Sequence, residues 1–200
     1  MDETLCSLVS PCIEVCRSRW PEQNWCLPKY GRYAQWFNDH LTQEQREEIY
    51  DVVKTEEFYM SLPPVLSPSH TGTSIEDLSR VCWERYERVK VITARIGFCP
   101  DPEATTREYL RKHKFVDVDN LEIVAIDGTT SKLHHVKGPA LFVDDSVTVA
   151  DDVSRSRNHN MLMINQPWND GYAKNGSVRV IPSRRMVESI NSFADSYVKL

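Results

Sequence analysis

Residue types that together could hold a phosphate and a hard cation recur at the ends of short apolar runs. Thr93 closes VKVIT (89–93), Asp144 and Asp145 close ALFVDD (140–145), Gln166 and Asn169 follow MLMIN (161–165), and Lys132 opens the segment ahead of ALFVDD. In an open parallel sheet, ligands bind beyond the carboxyl ends of the strands, so the residue that ends each run is the one to read for chemistry. A hydroxyl, an ammonium and paired carboxylates gathered at one sheet edge suit a phosphoryl group held together with Mg2+. That ion takes oxygen ligands, typically one or two carboxylates plus substrate phosphate. Each residue also has a plainer reading. Asp-Asp after a strand often serves as a turn and helix cap, a lone Thr caps more often still, and Lys132 is one of several lysines that could simply be solvated.

The elements that must position these residues fall into two textures. From about residue 5 to residue 60 the pattern is helical, aromatic and broken by prolines: LCSLVSPCIEVCRSRW, PKYGRYAQWFNDHL and TQEQREEIYDVV. In the last of these, Thr42 and Gln45 have the spacing of a capping box, and Glu44 lies in the first turn, where the helix dipole favours negative charge. From residue 89 onward, short runs rich in β-branched residues (89–93, 121–126, 140–145, 161–165 and 178–181) alternate with predicted helices over 106–115, 131–137, 148–157 and Ser183 to about Tyr197. Strand and helix in alternation predict an α/β fold, a parallel sheet covered on both faces. A proline-rich junction, LPPVLSPSHTG, and the helix SIEDLSRVCWERY, with Leu78, Val81, Cys82 and Tyr86 on one face, join the two textures.

Composition narrows the classes of function. In 200 residues, 24 Lys plus Arg face 29 Asp plus Glu for a formal charge of -5, with the basic residues scattered, which argues against a nucleic-acid duplex as partner. No stretch approaches 18 apolar residues, and the amino terminus lacks the basic start and apolar run of a secretory signal, so no membrane partner is expected and the chain reads as cytoplasmic. Six cysteines, four of them among the first 26 residues, are expected to be reduced, buried thiols. Cys12 and Cys16 share a helical face and raise the question of zinc, but there is no C-x-x-C and no second pair at finger spacing.

VITAR (91–95), Lys132 and LFVDDS (141–146) resemble the second, third and fourth motifs of the haloacid dehalogenase superfamily. The opening MDETLCSL resembles the second half of its first motif, Asp-x-Asp-x-Thr-Leu, with Asp2 as the second aspartate, Thr4 as the threonine, and Glu3 where that family usually has glycine. EEFYMSLPPVLS (56–67), TARIGFCPDPEATTREYLRKH (93–113) and INQPWN (164–169) are similar to the cytosolic-type 5'(3')-deoxyribonucleotidase family, and the likeness covers nearly the whole chain.

The resemblance implies a parallel Rossmann-like core over 1–12 and 66–200, with a small helical cap over 13–65. It implies a Mg2+-dependent phosphomonoesterase that hydrolyses deoxynucleoside monophosphates through an aspartyl-phosphate. Asp2 would be acid/base and offer its backbone carbonyl to the metal, Asp145 would ligate the metal, Asp144 would orient the site and Lys132, and Thr93 and Lys132 would hold phosphate oxygens. Thr4, Arg95, Phe58 and Trp36 would contact a small-molecule nucleotide. The cap is dense in rings (Trp20, Trp25, Tyr30, Tyr33, Trp36, Phe37, then Phe58 and Tyr59) that could stack a base, although such rings more often build the core of a small helical subdomain.

The same likeness places the attacking aspartate one position before Met1, and its strand wholly upstream. A parallel sheet without a middle strand leaves unpaired backbone rows and a gap in the core. The expectation is therefore a recorded start at an internal methionine, or else a truncated or inactive relative. A non-catalytic nucleotide- or phosphate-binding protein is the alternative from another class, and a phosphatase for another phosphomonoester is the alternative within the enzymes. A homodimer is compatible with all three.

Overall fold

Three helices of the amino-terminal half begin at a side chain that caps them, Thr42, Thr55 and Ser74. The computed structural model describes residues 4–27, 39–96, 99–172 and 176–197. Helix α1 (Val9–Arg19) buries Val9, Cys12, Ile13 and Cys16, the i, i+3, i+4, i+7 stripe of an amphipathic helix. Helix α2 (Gln43–Val53) opens with the expected capping box: the Gln45 amide donates to Thr42 Oγ1 at 3.2 Å and the Thr42 amide donates to Gln45 Oε1 at 3.0 Å. Thr55 caps α3 (Glu56–Ser61), and the short α4 (Pro68–Thr71) is stopped by Gly72 at φ 73, a conformation that favours glycine. Helix α5 (Ile75–Arg85) has a second capping box, Ser74 with Asp77, whose hydrogen bonds to Ser74 hold the Asp77 carboxyl below the usual range.

Strand β1 (Lys90–Thr93) follows, then α6 (Pro102–Lys112), β2 (Glu122–Ala125), β3 (Ala140–Asp144), α7 (Val147–Arg155), β4 (His159–Ile164), β5 (Val178–Ile181) and α8 (Met186–Tyr197). Helix α6 starts four residues earlier than the sequence predicts, because Asp101 accepts from the Ala104 amide at 2.9 Å and Pro102 sits at the first helical position. The helix predicted over 131–137 is a single 3-10 turn, Lys132–His135. So few residues cannot offset the cost of helix nucleation, and backbone hydrogen bonding in the turn ends with the Val136 amide on Leu133 at 3.2 Å. The final predicted helix divides into a 3-10 turn, Ser183–Arg185, and α8.

The fold is mixed α/β, and every paired strand is parallel, as the alternation predicts. The single sheet expected from the sequence is instead two: β1 with β2, and β3–β4–β5. In the first, Val91 lies opposite Ile123 and Thr93 opposite Ala125; in the second, Asp144 lies opposite Met163 and Ile164 opposite Ile181. Among the described residues no backbone hydrogen bond joins β1 to β3. The reason is spatial: a slot of about 910 Å3 lies between them, lined by Val89–Ile92 on one side and Ala140–Asp144 on the other.

One apolar cluster runs from α1 through α2, α3 and α5 to Leu162 and Ile164 of β4 and Ile190 of α8, so the amino-terminal helices share their core with the strands. The expected core–cap boundary after residue 12 falls inside α1. A smaller cluster, Phe142, Val149, Ala150, Val153 and Met161 among its members, seats α7 on the second sheet. Among the described residues no helix is long and apolar enough to cross a membrane.

Removing the exposed cap at Ser74 tests the local argument without touching the slot. Ser74→Ala should lower stability by about 1 kcal/mol, read as a shift of the urea midpoint at unchanged m-value.

Candidate active site

Alternation along a strand sends neighbouring side chains to opposite faces, and β3 ends by using that rule on two carboxylates. Asp144, the last residue of β3, turns to Lys132, whose Nζ donates to Asp144 Oδ2 at 2.6 Å. The other oxygen, Oδ1, accepts from the Ser146 amide at 2.9 Å, where Ser146 caps α7. Both partners are shielded, with side-chain exposures of 15% for Lys132 and 7% for Asp144. Burial alone pushes the Asp144 carboxyl up, but the Lys132 ammonium and the hydrogen bonds from Lys132 and Ser146 outweigh it and hold the group below the usual carboxylate range.

Asp145 serves the other side. Its Oδ1 accepts from Thr4 Oγ1 at 3.4 Å and its Oδ2 from Trp168 Nε1 at 3.0 Å, and all three residues are buried. Asn169 fixes the backbone behind it, with Nδ2 donating to the carbonyls of Asp145 and Ile164 at 2.8 Å each. The Gln166 amide donates back to Asn169 Oδ1 at 2.9 Å. The 3-10 turn Pro167–Asn169 thus ties the carboxyl end of β4 to that of β3.

Thr93 lies at the carboxyl end of β1, fully buried, and its Oγ1 has no hydrogen-bond partner among the described residues. A buried hydroxyl left so costs about 1–3 kcal/mol and calls for an explanation. Arg95, two residues on, is also fully buried. Its Nη2 donates to Cys6 Sγ at 3.1 Å and its guanidinium lies 4.0 Å from the centre of the Tyr59 ring. Cys6 forms an antiparallel bridge with Pro64, and the flanking bonds, Ser7 amide to Pro63 carbonyl and Val65 amide to Leu5 carbonyl, hold the segment that carries Thr4.

The structure therefore brings Thr4, Lys132, Asp144 and Asp145 together at the end of β3 and places Thr93 at the end of β1. Arg95 serves the buried contacts beside Cys6. Phe58 is half-buried against the core, edge-on to Tyr59 at 6.3 Å, and Trp25 is buried with Nε1 on the Trp20 carbonyl at 2.9 Å, so these rings build the helical layer. Asp2 and Trp36, with Tyr30, Tyr33 and Phe37, lie outside the described residues. The direct role of Trp168 on Asp145 was not assigned from sequence; the only signal for it was the phrase QPWN following a strand. Cys12 and Cys16 face the core from α1, and burial pushes the Cys16 thiol up to about 11.

The donor set around Asp145, a carboxylate beside a hydroxyl, has the hard-oxygen chemistry of a Mg2+ site. Asp145 would hold such an ion, with phosphate oxygens and water completing its shell. No protein-family model matches the chain, and no curated protein matches it.

The ion pair sets a pH dependence. Because the folded-state pKa of Asp144 is lowered, its stabilisation is present above the unfolded value of about 3.9 and is lost as pH falls through the folded value. In Lys132→Met the carboxylate is buried without its cation, at a cost of about 3–5 kcal/mol at neutral pH. Its pKa then rises above the unfolded value, so the slope reverses. Urea midpoints of the variant should climb from pH 7 towards pH 5, whereas those of the parent should not.

Proposed function

We propose that this chain carries the phosphate-holding half of a Mg2+-dependent phosphomonoesterase of haloacid dehalogenase type, acting as a nucleotidase on deoxynucleoside monophosphates. The observation that carries the reading is the shielded Lys132–Asp144 pair at a strand end with Asp145 beside it, since a cation held by one carboxylate next to a second is a charge balance ready for a phosphoryl group. Lys132 and the Thr93 hydroxyl, which has no partner among the described residues, hold phosphate oxygens. Asp144 fixes the position of Lys132, and Trp168 and Thr4 fix Asp145. When bound, Mg2+ neutralises charge on the phosphate.

By the resemblance, Asp2 protonates the leaving oxygen. The attacking aspartate falls two positions before it, ahead of Met1, so the 200 residues supply the receiving groups and not the nucleophile. In the attack, the aspartate–phosphorus bond forms as the ester P–O bond breaks, and water then cleaves the aspartyl-phosphate. Phe58 and Trp36 are the rings assigned to the base. The cap over 13–65 and the Rossmann-like core belong to this reading as well.

The test adds to the chain an apolar strand that ends in aspartate two positions before Asp2. Such a protein should release phosphate from dUMP or dTMP only with Mg2+, and Lys132→Ala should lower its kcat/KM by about 10²- to 10³-fold. Absence of phosphate release from every deoxynucleoside monophosphate would overturn the nucleotidase. The 200-residue chain itself should bind the nucleotide with Mg2+ and not turn it over.

A further inference from the structure

Arg95 stands where three separate stretches of chain meet. Its backbone continues from β1, and bonds on either side of it, from the Ile126 amide to the Thr93 carbonyl at 2.9 Å and from the Ile96 amide to the Ile126 carbonyl at 3.3 Å, tie it to the segment after β2. Its side chain is fully buried. One edge of the guanidinium donates from Nη2 to Cys6 Sγ at 3.1 Å, while its central carbon lies 4.0 Å from the centre of the Tyr59 ring on α3. Cys6 is two residues from Thr4, whose hydroxyl donates to Asp145 Oδ1 at 3.4 Å. Two bonds in series therefore lead from the end of β1 to the end of β3, the first across 89 residues and the second across 141. The second is long for a hydroxyl donor, for which about 2.7–2.8 Å is usual. A small displacement of Cys6 thus decides whether Asp145 keeps it.

We propose that Arg95 is a positioning residue for Asp145: fixed by its own backbone and by Tyr59, it sets the place of Cys6 and, through Cys6, the reach of Thr4 to the carboxylate. Filling the space between a thiol and a ring needs no charge, and an apolar side chain of the same length would do so without the cost of burying a guanidinium. What arginine alone supplies is a rigid plane, with a face for the ring and an edge of N–H donors for the sulfur, so that one group fixes both neighbours. Departures of this kind from the cheapest packing are expected where function asks for them. With no exposed surface, Arg95 has none to offer a nucleotide, so this role replaces the direct contact that the resemblance gives it. The inference rests on the reading of Asp145 as the carboxylate that takes Mg2+.

A double-mutant cycle on the 200-residue chain, with Arg95→Met and Thr4→Val, tests the role. Two quantities are read: the indole Nε1–H resonance of Trp168, which reports the hydrogen bonding of Asp145 in the absence of any ligand, and the Mg2+-dependent affinity for dUMP. Each single variant should move the Trp168 resonance in the same direction and weaken dUMP binding about tenfold, and the double variant should bind within about twofold of the weaker single. Tyr59→Phe keeps the ring face and should match the parent, whereas Tyr59→Leu should follow Arg95→Met. If Arg95→Met does not fold, Arg95→Lys, which keeps the charge and loses the plane, takes its place in the cycle with the same expected pattern. Three results overturn the proposal: a Trp168 resonance unmoved by the Arg95 variant, a Tyr59→Leu chain that behaves as the parent, or a double variant whose loss is the product of the two single losses, the mark of a direct contact made by Arg95. A parent that binds no dUMP with Mg2+ counts against the nucleotidase reading instead, and the Trp168 resonance then decides the role of Arg95 by itself.

Discussion

The period of two along a β-strand is the constraint on which the candidate site rests. Because Asp144 and Asp145 are adjacent, the pleat sends their carboxylates to different neighbours, one to Lys132 and Ser146, the other to Thr4 and Trp168. Two negative charges on consecutive residues would repel if they shared a face. Separated, the first is matched by the Lys132 ammonium, and the second accepts from two neutral donors, the Thr4 hydroxyl and the Trp168 indole. That asymmetry is the physical content of the proposed phosphate chemistry.

The divided sheet is the second organising feature. Apolar side chains from helices that pack on one another, α5 and α8, reach the slot between β1 and β3. Thr93 ends β1, whereas Lys132 and Asp144 line the slot from the side of β3.

Much of this was legible in the sequence where the signal is local. The runs of β-branched residues mark β1 and β3 within a residue or two, the Thr42–Gln45 spacing marks the start of α2, and the strand-end rule picks out Thr93, Asp144 and Asp145. Lys132 was found through its place ahead of ALFVDD, although the helix predicted around it is a single turn. What the sequence did not show depends on distant partners. Trp168 reaches Asp145 across 23 residues, and Arg95 is buried because Tyr59 and Cys6, from other parts of the chain, supply a ring face and a sulfur. The split into two sheets is a property of pairing, which periodicity does not encode.

The indole of Trp168 is buried, and its only polar atom is bonded to the carboxylate that the reading gives to the cation. Its excited-state dipole therefore sits within one hydrogen bond of the charge that changes when a metal or a proton arrives at Asp145. A charge arriving at Asp145 would alter the surroundings of this indole, so its share of the emission from the five tryptophans would register that arrival.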